Sequence, residues 1–454
     1  MKTIFSILTA ASLLTSCGIY KTYERPEVET AGLFRDTVPT TDTTSLGNLP
    51  WRELFTDRPL QSLIEQGLSN NTDLRIAYLR VKQAEASLLA ARLSYLPSAS
   101  LAPQGTVSSF DGQKASKTYQ LPVSASWEID LFGKITNANR SARAALEQSD
   151  AYRQAVQTQL VATIANSYYT LLMLDSQLAI SRQTSANWQA NLKTMRALKA
   201  AGQYNEAAVS QAEASSLAAE ASLLTLQQQI SETENSLSTL LGETPRAILR
   251  SSLQGQRFPD TLATGIPLQL LSNRPDVREA ELSLAQSFYA TNQARAAFYP
   301  NLTLSGSAGW TNSGGLGITN PGSWLLSAVG SLTQPLFNKG ANIANLKIAK
   351  AEQEAATLTF QQSLLNAGAE VNNALTQWQT ARSRSALTTR QVTALETAVR
   401  STRLLMQHGT TNYLEVLTAQ QSLLQAQLTE VADRFDEIQG VINLYQALGG
   451  GGRE

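Results

Sequence analysis

The chain has 454 residues, with 36 Lys and Arg against 36 Asp and Glu, one cysteine and one histidine. Zero formal charge without a basic cluster argues against nucleic acid, whose phosphates require a positive surface. A lone cysteine excludes an intrachain disulfide framework, and a lone histidine, His408, argues against His-based triads and Cys/His zinc sites, so the chain does not read as an enzyme.

At the N-terminus, Lys2 precedes an apolar run from Ile4 to Leu14, too short to span a bilayer and the right size for a secretory signal. The run ends in Leu14-Thr15-Ser16-Cys17, which resembles the bacterial lipobox, where cleavage precedes a cysteine modified with lipid. Residues 1–16 are therefore read as signal peptide and Cys17 as the lipid attachment site; no other cofactor is expected. Acyl chains supply ~0.8 kcal/mol per buried methylene, enough to anchor a multiply acylated cysteine firmly. Gly18 rather than Asp follows, which by the sorting rule of such lipoproteins implies the outer membrane. Residues 17–50 form a lipid-anchored extended segment. No run of 18 apolar residues occurs beyond the signal, so no transmembrane helix is expected. A transmembrane β-barrel stays open, because its alternating strands escape hydropathy plots.

Residues 51–265 carry helical periodicity over ~73–96, stopping at Pro97. A strand follows over ~97–107, where Ala99, Leu101, Pro103, Gly105 and Val107 alternate with small polar residues. After the polar loop SSFDGQKASKT, a strand over ~119–129 places Tyr119, Leu121, Val123, Ala125, Trp127 and Ile129 on one face. Helices over ~132–201 and ~206–241 complete the set, broken at Gly202. Seventy helical residues would reach about 105 Å.

Residues 266–449 repeat this plan. Asp73, Arg75, Arg92, Pro97 and Leu101 recur 203 positions on as Asp276, Arg278, Arg295, Pro300 and Leu304. Leu131-Phe132 and Lys134 recur 205 on as Leu336-Phe337 and Lys339. Gly202, Asn205, Val209, Ala212 and Leu241-Gly242 recur 207 on as Gly409, Asn412, Val416, Ala419 and Leu448-Gly449. This is a tandem duplication of one ~200-residue fold. The second copy predicts a helix over ~276–298, strands over ~300–310 and ~323–333, and helices over ~338–408 and ~412–448, with 450–454 as a tail. In RPDV, Asn273 or Ser272 can cap the helix, Pro275 suits its first turn, and Asp276 suits the positive end of the dipole. A returning helix of ~36 residues and a leading helix of ~24 together approach the ~70-residue descending helix. Stacked end to end, they would make long antiparallel tracks, with hairpins at one end and the Gly202 and Gly409 turns at the other.

Strands of about ten residues have the length a tilted strand needs to cross a bilayer. Four strands cannot close a barrel, and open edges in lipid leave backbone groups unpaired at several kcal/mol each. On a lipidated chain this favours pooling of strands from several copies. Eight strands would leave a filled interior and twelve or more a channel; spacing alone does not choose.

PWRELFTDRPLQSLIEQGLSNNTDLRIA (50–77), IPLQLLSNRPDVREAE (266–281), ARAAFYPNLTLSG and GTTNYLEVLTAQQSLLQAQ (409–427) resemble the TolC-like outer membrane factors, in particular their lipidated branch. ERPEV, just after the cysteine, fits that branch too. The resemblance implies a mainly α fold with a membrane β-barrel portion. It also implies a homotrimer pooling twelve strands and twelve helical tracks, and the exit duct of a tripartite efflux pump. The implied partners are a periplasmic adaptor, an inner-membrane transporter of the resistance-nodulation-division type and outer membrane lipid. It carries the channel gate onto Leu414, Glu415 and Thr418 within YLEVLT, although some members have an acid where this chain has Thr418. Adaptor docking would fall on the turns, at Gly202, Tyr204 and Asn205 and at Gly409, Thr411 and Asn412. The same architecture would serve a type I protein secretion duct. A periplasmic adaptor lipoprotein, which also has long helical hairpins, would lack the 200-residue duplication.

Overall fold

The computed structural model describes residues 20, 22–27, 32–34, 45–259, 262, 273–311 and 323–451. Cys17, the signal and Ser272 lie outside the described residues. In chain order the helices and strands are α1 (Trp51–Leu54), α2 (Arg58–Asn70), α3 (Thr72–Leu93), β1 (Ser98–Leu101), β2 (Gln104–Ser108), β3 (Ser116–Ile129), α4 (Lys134–Ala200) and α5 (Glu206–Leu240). Then come α6 (Pro275–Ala296), β4 (Asn301–Thr311), β5 (Ser323–Thr333), α7 (Ala341–Gln407) and α8 (Tyr413–Ala447). The duplicated helices have matched lengths: α4 and α7 are both 67 residues long, and α5 and α8 are both 35. Neither α4 nor α7 contains a proline, the residue that would break a helix of that length.

Two compact units form, each drawing on both repeats: residues 1–28, 79–151 and 278–362 make one, and 29–78, 152–277 and 363–454 the other. In the first, all strands join one antiparallel sheet in which β1 and β2 both pair with β3, β3 pairs with β4, and β4 with β5. The strand expected over ~97–107 is split at Ala102-Pro103, because proline has no N–H for the ladder. The register nevertheless runs straight through, from Leu101 opposite Val123 to Gln104 opposite Gln120. Its partner begins at Ser116, three residues before the alternation is legible, since Ser116, Lys117 and Thr118 carry no apolar signal.

Register sorts the faces of this sheet. Leu101, Val123, Ala308 and Leu326 stand in one row, Ala99, Ala125, Gly306 and Ala328 in the next. Leu121, Trp310 and Trp324 end this face on one side; Trp127 and Leu304 lie toward the other, where Trp127 Nε1 donates to the Tyr95 carbonyl (2.9 Å). Six residues of strand separate Leu121 from Trp127, roughly 20 Å. The opposite face is hydroxyl-rich, with Ser100, Ser124, Ser307 and Ser327 in one row and Glu128, Thr303 and Ser331 in another. The apolar face is bare: Trp324 is 72% exposed and Leu326 83%.

The N-terminal segment is tied to this unit. Arg25 makes a bidentate pair with Glu281 at 2.7 Å, and Tyr23 packs edge-on against Phe288. Asp130 caps α4, accepting from the Ile135 and Thr136 N–H groups at 3.0 and 2.7 Å.

The second unit has its core around Trp51, Phe55, Leu60, Ile64, Tyr168, Tyr169 and Tyr445. Helix α2 does not figure among the sequence expectations, although Pro59 sits in its first turn and Leu60, Leu63, Ile64 and Gly67 keep helical spacing on its buried side. Asp57 ties this core together. It accepts from the Tyr168 hydroxyl (2.6 Å), Ser251 Oγ (2.9 Å) and Gln256 Nε2 (2.9 Å). Burial, and next the bond to Asp57, push the Tyr168 hydroxyl up to about 12.

The expected end-to-end junctions are present in this unit, built twice. Asn71 Nδ2 donates to the Leu240 carbonyl at 2.9 Å; 203 and 207 positions on, Arg274 Nη1 donates to the Ala447 carbonyl at 3.0 Å. Gly449 is required at the second junction, because a Cβ there would lie 2.4 Å from the Asn273 carbonyl oxygen; at Gly242 the approach to the Asn70 carbonyl oxygen is looser, at 3.1 Å. The Asn273 side chain donates to Asn48 Oδ1 (3.1 Å). Arg274 turns back onto Asp276 (2.6 Å) and pairs with Glu370 (2.7 Å).

Candidate functional site

The two interhelical turns share one backbone design. Gly202 and Gly409 take left-handed φ angles of 74° and 71°, which glycine adopts without steric cost. In each, the next N–H returns to the helix, from Gln203 to Leu198 and from Thr410 to Leu405, at 2.9 and 3.0 Å. An asparagine then caps the following helix: Asn205 Oδ1 accepts from the Ala208 N–H (3.0 Å) and Asn412 Oδ1 from the Glu415 N–H (3.1 Å). Gly202, Asn205, Gly409 and Asn412 are exposed, whereas Thr411 is half-buried and donates to Glu415.

The turns are brought together by one apolar cluster: Met195, Val209, Ala212, Tyr413 and Leu417, with Tyr204 and Met406 packed against it. Tyr204, expected as a docking residue, is thus half-buried, part of what seats the turn. Tyr413 carries no functional expectation in the sequence, yet it is the buried aromatic linking the two hairpins, and burial raises its hydroxyl pKa. Its apolar neighbours at Val416 and Leu417 are the signal that could have flagged it.

Leu414, Glu415 and Thr418 lie together on the exposed face of the first turns of α8, with Leu414 62% exposed. Thr418 Oγ1 donates to the Leu414 carbonyl (2.8 Å), and the Glu415 carboxylate accepts from Thr411. The buried side of the same helix carries Tyr413, Val416, Leu417 and Gln420, so the three expected gate residues face away from it. Among the described residues no cluster of His, Cys, Asp and Glu could hold a metal ion, and no helix is long and apolar enough to cross a membrane.

A duplicated fold with bare apolar strands and paired capped turns now meets its relatives. The family model described as outer membrane efflux protein matches residues 63–243 and 266–450. The chain belongs to that family. The cation efflux system protein CusC of Escherichia coli is 30% identical over 452 residues, covering 97% of each chain. The toluene efflux pump outer membrane protein TtgC of Pseudomonas putida is 28% identical over 468 residues, covering 99% of this chain and 96% of TtgC. The open state of the Neisseria gonorrhoeae MtrE outer membrane channel superposes with a TM-score of 0.86 at 28% identity, covering 96% of this chain and 98% of MtrE. As a member of the outer membrane efflux family, this chain is an efflux channel protein of the outer membrane, with the mainly helical, part-sheet fold of those channels.

Proposed function

We propose that three copies of this chain form the passive exit duct of a tripartite efflux pump, carrying small molecules from periplasm to exterior without chemistry of its own. The observation that carries the reading is the four-lane sheet. It has one apolar and one hydroxyl face, aromatic residues near both ends and two free edges. Lipid suits the first face, water the second, and neither suits a free edge, so the sheet is complete only when copies close a barrel. Twelve strands leave an aqueous channel.

The lipid on Cys17 fits the same placement. Tyr20, three residues on, lies against Gly133 just beyond the end of β3, and three residues reach at most ~10 Å. The acyl chains would therefore enter the bilayer beside the inner end of the sheet. The turns, exposed at Gly202, Asn205, Gly409 and Asn412 with half-buried Tyr204 and Thr411 beside them, would receive the helical tips of a periplasmic adaptor. That adaptor would link the duct to an inner-membrane transporter of the resistance-nodulation-division type. Cysteines placed at Asn205 or Asn412 should form disulfides with a co-expressed adaptor; no adduct at either turn would remove that assignment.

Leu414, Glu415 and Thr418 would form the constriction, three carboxylates around one axis favouring cations. Single-channel recording in planar bilayers tests this directly. Glu415→Gln should change conductance and reduce cation preference, while an unchanged channel would take the gate role away from Glu415.

A further inference from the structure

The duplication leaves one arginine without the partner that its counterpart keeps. In the first repeat Arg196 of α4 pairs with Glu213 of α5 at 3.0 Å. Both positions recur 207 residues on, the arginine as Arg403 of α7 and the glutamate as Gln420 of α8. Gln420 is neutral, and its Oε1 already accepts from Asn191 Nδ2 of α4 at 3.1 Å. Among the described residues Arg403 makes no hydrogen bond or ion pair.

Arg403 and Gln420 line a cavity of about 370 Å³ between α4, α7 and α8. Half-buried Ile180, Val399, Leu423 and Leu424 give it an apolar wall. Trp188 of α4 lines it too; the indole is 6% exposed, and its Nε1 is buried without an acceptor among the described residues. A buried N–H is costly to leave unpaired. The cavity therefore combines an unmatched cation and an unmatched donor with an apolar wall, and no acid lines it.

We propose that this cavity binds an amphiphilic organic anion, a flat apolar body ending in one carboxylate, with the carboxylate at Arg403 and Trp188 Nε1 and the body against Ile180, Leu423 and Leu424.

The chemistry follows from the two unmatched groups. The first repeat meets the equivalent guanidinium with a carboxylate, so a bound carboxylate restores the pairing that Gln420 lacks. A carboxylate also has lone pairs enough to accept from both the guanidinium and the indole N–H, whereas a cation would bring no acceptor. Ile180 and Trp188 stand eight residues apart on α4, roughly 12 Å, which limits the length of the body. A second cavity of about 510 Å³ shares Ala179 and Ile180 with the first and is lined by both Glu430 and Arg434. Charge is balanced there, so the unbalanced positive charge at Arg403 orients the ligand. The cavity lies within one copy of the chain, and its occupation does not depend on the trimer.

Equilibrium dialysis of the full-length lipoprotein in lipid nanodiscs, with empty nanodiscs subtracted, tests the site at neutral pH. 2-Naphthoate is the probe, and neutral 2-naphthamide, of the same shape, its reference. Naphthoate should bind saturably and about tenfold tighter than naphthamide. Gln420→Glu returns the acid of the first repeat to Arg403 and should weaken naphthoate about tenfold, with naphthamide nearly unchanged. Arg403→Gln should do the same, and Arg403→Lys should recover part of the loss, because the ammonium keeps the charge without the fork. Trp188→Phe keeps the apolar wall but removes the N–H, and should weaken both probes, since each presents an oxygen to it. Absence of saturable naphthoate binding to the unmutated protein would overturn the site. Equal affinity for the two probes, or naphthoate binding unmoved by Gln420→Glu and Arg403→Gln, would overturn its anion selectivity.

Discussion

The two interhelical turns are copies of each other, and they differ where it is informative. Glycine, returning N–H and asparagine cap are identical in both, because backbone geometry dictates them. What crosses between the helices has diverged. At the first turn Lys199 pairs with Glu206, and Arg196 with Glu213 at 3.0 Å, all on the surface. Their counterparts 207 positions on are Met406 with Tyr413 and Arg403 with Gln420, and the first pair packs in the apolar cluster. The stripe ahead has diverged too: Ala207, Ala208 and Gln211 stand where the second turn carries Leu414, Glu415 and Thr418. Beyond the apolar cluster that both share, the first copy adds exposed ion pairs and carries neutral residues on that stripe, while the second adds buried contacts and presents an acid. A duplicated scaffold can thus keep two equivalent turn backbones while the side chains on the stripe ahead of them diverge.

The contrast can be broken by mutation. Tyr413→Ala removes the buried aromatic and should cost about 3 kcal/mol, seen as a large fall in melting temperature and rapid proteolysis at both turns. A wild-type protease pattern would show that the cluster does not hold the turns. Asn205→Ala and Asn412→Ala should each cost about 1 kcal/mol, and the two losses should be equal because the caps are equivalent. Unequal losses in hydrogen exchange at the two helix starts would mean the backbone design is not shared. Glu206→Ala, the counterpart of the Tyr413 change, should cost less than about 1 kcal/mol, and that small loss should vanish in high salt. A loss as large as that of Tyr413→Ala would erase the distinction between the turns.

Most element boundaries were legible because proline, glycine and periodicity mark them. Pro97 and Pro300 end helices, Gly202 and Gly409 break them, and alternation after each proline names a strand. Less was legible where the marker was ambiguous. Pro103 sits on an apolar alternation yet interrupts the strand, and α2 is short enough to pass as loop. The proposed gate residues Leu414, Glu415 and Thr418 came from the family resemblance, and they do fall on one exposed stripe of α8. For Tyr413 the sequence offered only its apolar neighbours Val416 and Leu417 as a signal, because an aromatic at a helix start can face either way until a second helix covers it.

By itself the sequence determined the duplication, the lengths of the helices and strands, and which side of each strand is apolar, since all of these are local or periodic properties. The tertiary structure alone decided that β3 joins β4 so that two hairpins become one sheet, and that Arg274 and Asn71 bridge equivalent helix ends. It also decided that the turns share a core. Each depends on residues far apart in the chain meeting in a particular register, and periodicity carries no information about which partner is met.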